Sequence, residues 1–403
     1  MLMISPGYPA EMPFFVRGLS RAGATVIGAG DQPVSSLPPT AREHLAAHWH
    51  TPGFNDEDGI VHEIARRAGE VRIDYVASLW EPTMVLAARI RETLGIAGMT
   101  VDQTVPFRDK ERMKQVLDAA GVRTPHHYRT SSAVGVREAV ERIGFPIIVK
   151  PIAGAGSAHT YRVDSAAELD AVLPRLIGVP EVSVEEFVDG EEFTYDTICS
   201  DGEILYDNIA WYRPRPLQAR QLEWISPVTL CLRDIDAPEV SSGRAMGREV
   251  LRALGFRDGF THMEWYRVES GEVVFGEIGA RPPGARTVDV MNFACDTDLF
   301  QRWAEALING RFAEPVGRPY NAASIFKRAQ GHGRITHIEG LSHLLGELDE
   351  WVCAIDLLPI GAPRRDWLMT LISDGMVIVR HPELRSCVEI ADRFATELQL
   401  YAG

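Results

Sequence analysis

Thr261-His262-Met263-Glu264-Trp265-Tyr266-Arg267-Val268 and Val273-Val274-Phe275-Gly276-Glu277-Ile278 are separated by Glu269-Ser270-Gly271-Glu272. Two apolar-rich runs around a glycine-bearing turn signal predict a β-hairpin. If it closes symmetrically about Ser270-Gly271, Glu269 faces Glu272 and Glu264 falls opposite Glu277. Directly opposed side chains share one face of a sheet, with Cβ atoms about 4.5–5.5 Å apart, so two carboxylates there repel. A cation between them removes that cost. Magnesium takes one or two carboxylates and completes its shell with water and phosphate oxygens, so it suits such a pair. On a solvated sheet face the same glutamates are ordinary surface charges, but Met263, Trp265, Phe275 and Ile278 point to a hairpin laid on a core. A three-residue loop would shift the register by one and break the pairing.

Around this hairpin lie 403 residues, enough for two to four domains at roughly 100–200 residues each. An apolar content of 45% with 24% charged residues describes a soluble globular chain. No run reaches the roughly 18 apolar residues of a membrane span. Met1-Leu2-Met3-Ile4-Ser5-Pro6 lacks the basic start and long apolar stretch of a signal peptide and reads as a first strand. The net charge of −15 argues against a nucleic-acid or anionic-membrane surface. Cys199, Cys231, Cys295, Cys353 and Cys387 are scattered without metal-ligand spacing, which leads us to expect structural thiols in a reducing cytoplasm. Of 41 basic residues only Lys110, Lys114, Lys150 and Lys327 are lysines. Where arginine is the default cation, a lysine marks a place that needs an ammonium.

Residues 1–105 alternate strand and helix: strands at 1–4, 24–27 and 73–79, helices at 14–22, 57–68 and 81–94. That order predicts a parallel, doubly wound sheet with ligands at the carboxyl ends of its strands. Gly28-Ala29-Gly30-Asp31-Gln32-Pro33 begins like a dinucleotide fingerprint but has Pro33 in its sixth position and opens no helix. Glu81, just past a strand end, is a candidate for holding a substrate amine, or a helix-start acid favoured by the dipole. Helices follow at 109–117 and 133–143, then the strand Phe145-Pro146-Ile147-Ile148-Val149-Lys150-Pro151 closing on a lysine. The small residues beyond it, with Gly154, Gly156 and Ser157, let backbone N–H groups wrap an anion. Neither a Walker loop nor a Gly-x-Ser-x-Gly elbow occurs. A helix at 166–176 and the strand 182–188 come next, and Asp189-Gly190 reads as the turn of a hairpin into residues 191–196. Residues 211–226, with Arg213, Arg215 and Arg220, read as a long loop, either a lid over an anion or an exposed excursion. After a helix at 239–254 and the acidic hairpin, Gly279-Ala280-Arg281-Pro282-Pro283-Gly284-Ala285-Arg286 puts a guanidinium on a stiffened segment beside the metal. There it would stabilise charge on a transferring group. A helix at 299–308 and a βα tail over 320–403 complete the chain.

With these residues in this order, the chain resembles the ATP-grasp superfamily, and within it the carboxylate–amine ligases of the L-amino acid ligase and D-alanine–D-alanine ligase type. The resemblance spans nearly the whole chain. It implies an α/β (α+β) fold: a pre-ATP-grasp domain of parallel sheet at 1–105, an ATP-grasp domain at 106–319 whose lid subdomain covers about 125–190, and a C-terminal region at 320–403. It implies ATP and Mg2+ (or Mn2+), with Lys110 and Lys150 on phosphates and Gly154, Gly156 and Ser157 in the lid. Glu185 with the backbone of Phe187 and Val188 would hold adenine, and Glu192 the ribose. Glu264 and Glu277 would hold the metal, and Arg281 the intermediate. Gly279 stands where that family usually has an asparagine ligand. The implied reaction is ADP-forming: a carboxylate becomes an acyl phosphate and an amine then displaces phosphate. Glu81 and Arg286 are candidates for contacting the substrates, small-molecule carboxylates and amines, with amino acids expected. A cytoplasmic homodimer with neither nucleic-acid nor membrane partners is expected. The alternatives are a biotin-carboxylase-like enzyme and a nucleotide-binding protein that lost catalysis at Gly279.

Overall fold

The computed structural model describes residues 1–152, 159–370 and 372–403. Gly154, Gly156 and Ser157 lie outside the described residues. Near the N-terminus β1 (Leu2–Ile4), β2 (Ile27–Gly30), β3 (Ala47–His50) and β4 (Val76–Ser78) form a four-stranded parallel sheet in the order β3-β2-β1-β4. Helices Met12–Arg21, Glu57–Ala68 and Met84–Leu94 accompany it. The second strand starts at Ile27 rather than at 24, because pairing begins only where Ile27 meets Leu2. Strand β3 has no apolar run (Ala47-His48-Trp49-His50) and carries no sequence signal. Since β1 and β4 are neighbours, the segments leaving their carboxyl ends, around Glu11 and Glu81, emerge side by side.

A second, four-stranded antiparallel sheet holds β5 (His127–Thr130), β6 (Ile147–Pro151), β7 (Tyr161–Val163) and β8 (Val182–Glu186) in the order β5-β8-β6-β7. Helices Ala133–Ile143 and Ala166–Val172 bury Val136, Ala139, Leu169 and Val172 against Ile147, Val149 and Val184. The hairpin expected at Asp189-Gly190 does not form. Both edges of β8 are already paired, to β5 and β6, so the next strand, β9 (Glu191–Ser200), has no edge to join and enters another sheet.

That sheet has nine strands. Besides β9 it contains β10 (Glu203–Asn208), β11 (Ala210–Arg213), β12 (Val228–Cys231), β13 (Gly259–Arg267), β14 (Val273–Gly279) and β15 (Asn321–Lys327). The C-terminal residues contribute β16 (Gln330–Gly331), β17 (Ile335–Glu339), β18 (Val352–Leu357), β19 (Gly375–His381) and β20 (Gln399–Ala402). The large sheet runs β14-β13-β9-β11-β12-β15-β19-β18, with β10 on β9, while β16, β20 and β17 make a small sheet of three. Residues 211–226 are therefore not one loop. Their start belongs to β11, and a short helix, Pro216–Ala219, precedes β12. Helix Pro238–Ala253 covers one face, where Gly243 and Gly247 let its backbone touch the rings of Trp265 and Tyr195; a Cβ at either glycine would lie 2.2 Å from those rings. Helices Met12–Arg21 and Leu299–Asn309 pack together through Phe15, Phe300 and Trp303, seating the N-terminal layer on the large sheet. Among the described residues no helix is long and apolar enough to cross a membrane, and all five cysteines are free thiols.

Helix Lys110–Ala119 joins the smaller antiparallel sheet to the large one through charged pairs. His127 on β5 bridges Glu111 (2.8 Å) and Asp118 (3.0 Å) of that helix, and Glu111 also accepts from Ser183 on β8 at 2.6 Å. Burial opposes charge on the ring, but Glu111 and Asp118 outweigh it, with Lys114 opposing them, and the His127 pKa lies above its ordinary value. A raised folded-state pKa gives stabilisation that is complete below about pH 6.5 and is lost as pH rises through the folded value. His127→Gln is thus expected to cost about 1–3 kcal/mol at pH 5.5 and distinctly less at pH 9. Urea titrations at the two pH values measure this; an equal loss at both would show that the ring is not charged.

Candidate active site

Three adjacent strands present alternate residues to one face. On β13 these are His262, Glu264 and Tyr266, while Met263 and Trp265 turn to the core. Their partners on β9 are Asp196, Thr194 and Glu192. On the other side Glu264 pairs directly with Glu277. The expected facing of the two acids is present, yet the hairpin is not symmetric. Val268 donates to the Glu272 carbonyl and Gly271 to that of Val268, giving a three-residue loop with Gly271 at φ +88°. Near the turn Arg267 therefore meets Val273 and Trp265 meets Phe275, one residue out of step. A bulge at Gly276 inserts the missing residue and restores the register at Glu277. A Cβ on Gly276 would lie 2.8 Å from the Glu264 carbonyl oxygen, so the close approach there requires glycine.

This face forms the floor of a cavity of about 420 Å³ whose walls come from the nine-stranded sheet, the four-stranded antiparallel sheet and the segments that leave β1 and β4. Lys110, Lys150, Glu185, Phe187, Val188, Glu192, Glu264, Glu277, Arg281 and Glu81 all line it. Lys110 Nζ lies 2.7 Å from Glu277. Glu185 is 4% exposed, and its carboxylate pairs with both Lys114 and Lys150, the latter at 2.9 Å. It thus serves as a shared counter-ion rather than offering itself to a base. Burial penalises its charge, but the two ammonium groups hold the Glu185 pKa far below the usual carboxylate range. Burial likewise lowers Lys114 to about 8 against the pull of Glu185. For Glu277, burial is outweighed by Lys110 and Lys150, so its carboxylate stays ionised. Glu192, paired with Arg215 at 3.1 Å, is pushed up by burial and by the charge of Glu264. Phe187 is flanked by the guanidinium of Arg162 at 4.0 Å and that of Arg215 at 5.1 Å, and the Val188 carbonyl accepts from Arg215 at 2.8 Å.

Glu81 departs from the expected amine contact. One of its oxygens accepts from Arg108 and the other from Arg281 Nε at 3.0 Å, so it orients two guanidinium groups. Arg281 Nη1 donates to the Pro282 carbonyl at 2.9 Å, which leaves Nη2 for the cavity. Arg286 does not line the cavity; its side chain pairs with Asp289 and Asp356. Arg213 pairs with Asp392, outside the site. Sequence reasoning passed over Lys114, although it lies one helical turn from Lys110, and over His262, although period two puts it beside Glu264. His262 Nδ1 is 2.6 Å from Asp196 and Nε2 is 3.6 Å from Glu264. Tyr212, on β11, also lines the cavity. No spacing in the sequence brings in Tyr212, Arg108 or Glu11.

Glu264 and Glu277 face one another, and a third acid, Glu192, is pushed up by burial and then by the charge of Glu264. Hard oxygen donors of this kind fit Mg2+ or Mn2+. Among the described residues no group of three or more His, Cys, Asp or Glu side chains could hold a metal. At Gly279 an added Cβ would meet only the Arg281 side chain, at 3.3 Å.

A family model of the ATP-grasp domain matches residues 107–208. The chain is 29% identical over 218 residues to an L-arginine-specific L-amino acid ligase of Bacillus subtilis, covering 52% of each chain. It is 26% identical over 293 residues to an alanine–anticapsin ligase of Bacillus subtilis, covering 66% of this chain and 61% of the relative. The chain thus spans between half and two thirds of these curated relatives. In three dimensions it is similar to an L-amino acid ligase from Bacillus licheniformis, with a TM-score of 0.80 at 20% identity over 100% of this chain and 98% of that one. An N5-carboxyaminoimidazole ribonucleotide synthetase from Thermotoga maritima gives 0.72 at 16% identity, covering 100% of this chain and 99% of that one.

Proposed function

The chain has the ATP-grasp fold, and on that premise we propose that it is an ATP-dependent, ADP-forming carboxylate–amine ligase joining amino acids or similar small molecules through an acyl phosphate. The observation that carries this reading is the arrangement on one cavity: two facing carboxylates, two lysines and a guanidinium held by a buried glutamate. Phosphoryl transfer asks little covalent chemistry of a protein; positioning and charge neutralisation carry it. In the proposed cycle a carboxylate oxygen bonds to the γ-phosphorus of ATP and ADP leaves. An amine nitrogen then bonds to the acyl carbon, phosphate leaves, and the amine proton passes to solvent.

Lys110 and Lys150 hold phosphate oxygens, and their pairing with Glu277 and Glu185 keeps both ammonium groups oriented towards the cavity. Glu192 receives the ribose hydroxyls, and the strand edge at Phe187 and Val188 receives the base. Glu264 and Glu277 are the residues that would hold the divalent cation, which when bound supplies charge neutralisation across the phosphate oxygens. Arg281, fixed through Glu81, meets the negative charge that develops on the transferring group. The relatives named as amino acid ligases support amino acids as both substrates.

The test is phosphate release from ATP across a matrix of amino-acid pairs, with mass spectrometry of the products. Phosphate release that needs both a carboxylate and an amine, with an amide as product, supports the ligase. Release that needs bicarbonate alone supports a carboxylase. ATP binding without turnover supports a nucleotide-binding protein, the reading that Gly279 favours.

A further inference from the structure

The arginine-bearing segment between β11 and β12 sends one side chain into the nucleoside end of the cavity. Arg215 stands just before the short helix Pro216–Ala219, and its side chain is 12% exposed. Nε donates to Glu192 at 3.1 Å, and Nη1 donates to the Val188 carbonyl at 2.8 Å. Its Cζ lies 5.1 Å from the centre of the Phe187 ring and 4.7 Å from that of Tyr266. All five residues line the same cavity. A guanidinium is flat, delocalised and weakly hydrated, so it stacks on aromatic faces while its N–H fork serves acceptors in its own plane. An aminopurine edge has the same flatness and the same in-plane donors.

The chain that carries Arg215 is itself a wall of the cavity, through Pro214, Pro216, Leu217, Ala219 and Arg220. Its two ends are held away from the nucleoside. On one side Arg213 ends β11 and pairs with Asp392 at 2.9 Å. On the other, Arg328 donates to the carbonyls of Ala219 and Leu222, both at 2.8 Å. Between these anchors no side chain of residues 214–218 other than Arg215 makes a hydrogen bond or ion pair among the described residues. Arg215 is therefore what draws this wall onto β9 and the strand edge at Val188.

We propose that Arg215 is a built-in competitor of the nucleotide. In the empty protein it fills the nucleoside slot, and the incoming nucleotide displaces it and frees residues 214–218 to shift along the cavity. This rests on the ligase reading and adds an order to it: nucleotide first, carboxylate and amine afterwards. Glu192 is the acid assigned to the ribose, and Phe187 with Val188 the edge assigned to the base. Arg215 occupies each of these, and the two rings admit one flat group at a time. A wall pinned by Arg215 is released only once the nucleotide has taken over those contacts.

Calorimetric titration of the full chain with ADP and Mg2+ tests this by the sign of the effect. Once Arg215 has left the slot, the unmodified protein and Arg215→Ala offer the nucleotide the same contacts; they differ only when empty. A slot blocked about 90–97% of the time lowers apparent affinity about 10- to 30-fold, so Arg215→Ala is expected to bind ADP tighter by that factor. Arg215→Lys keeps a cation for Glu192 without the planar fork and is expected to fall between the two; it decides alone if Arg215→Ala does not fold. Hydrogen exchange reads the wall directly, at the amides of Ala219 and Arg220 that donate to the carbonyls of Arg215 and Pro216. ADP is expected to speed their exchange in the unmodified protein, and Arg215→Ala to exchange fast without it. A guanidinium that only completes the nucleotide pocket gives the opposite on both counts, weaker binding in the variants and slower exchange with ADP. The proposal is overturned by equal or weaker ADP affinity in the variants, by exchange that ADP leaves unchanged or slows, or by an unmodified protein that binds no ADP. Amide formation by the unmodified protein would in the first two cases leave the ligase reading standing, whereas tighter ADP binding by the variants without any turnover would remove that reading and keep Arg215 as the competitor.

Discussion

Glu277→Gln is expected to lower ADP release by about 10²- to 10³-fold at saturating magnesium while leaving nucleotide affinity within about tenfold. The asymmetry follows from what Glu277 touches. Its carboxylate faces Glu264 across the hairpin, so an amide there halves the negative charge offered to a divalent cation. The amide oxygen still accepts from Lys110, 2.7 Å away in the unmodified protein, so that lysine keeps a partner and the fold loses little. Most contacts to the nucleotide would come from Lys110, Lys150 and Glu192 and survive. The missing charge matters most when the phosphoryl group is between oxygens and needs the most neutralisation. Turnover falls and KM for ATP barely moves if this is right. Raising magnesium further recovers none of the loss, because the cation is already saturating and the missing charge is needed in the transition state. Phosphate release within threefold of the unmodified protein would take Glu277 out of the metal site, and with it the reason for the paired acids.

The pairing on which that expectation stands was readable in the sequence for a partly mistaken reason. Counting outward from Ser270-Gly271 assumes a symmetric turn; the real loop has three residues, and the bulge at Gly276 repays the offset. Two one-residue errors of opposite sign leave Glu264 opposite Glu277. Gly276 was visible, but nothing in the alternation of the strand announced that it was a bulge. Local signals served well where elements are long and periodic, as in helices Glu57–Ala68 and Ala133–Ile143. They failed where the partner decided the outcome. The turn at Asp189-Gly190 has hairpin chemistry, yet β8 has no open edge, a fact of tertiary pairing alone. The four lysines proved informative: three surround the acids of the cavity, and Lys327 is buried elsewhere, donating to Ser226 and to the carbonyls of Phe394 and Ala395. Glu81 was found but with the wrong partner, because Arg108 and Arg281 reach it only in three dimensions. Glu11, whose contact to Arg286 spans 275 positions, leaves no trace in any window of sequence.

Glu185→Gln is expected to lower the unfolding free energy at pH 7 by about 3–5 kcal/mol, the cost of removing one partner from a buried ion cluster. Glu185 is 4% exposed and Lys114 1%, so no water replaces the lost charge. The two ammonium groups do not suffer alike. Lys150 keeps Glu277 and Glu264 within electrostatic reach, whereas Lys114 depends chiefly on Glu185, with Glu111 a weaker contributor. Burial already brings Lys114 down to about 8; without Glu185 it drops further and gives up its proton near neutrality. A lysine whose folded pKa lies below its unfolded value binds fewer protons folded than unfolded between the two, so stability recovers as pH rises through that window. The deficit of the variant is therefore expected to be smaller at pH 9.5 than at pH 7, whereas a packing defect would give the same deficit at both. Lys114→Met, which leaves Glu185 paired with Lys150 at 2.9 Å, should cost less than Glu185→Gln. Urea denaturation of both variants at the two pH values reads all of this. A loss below about 1 kcal/mol at pH 7, or a deficit independent of pH, would mean that water reaches Lys114 and that Glu185 is not the charge holding helix Lys110–Ala119 to strand β8.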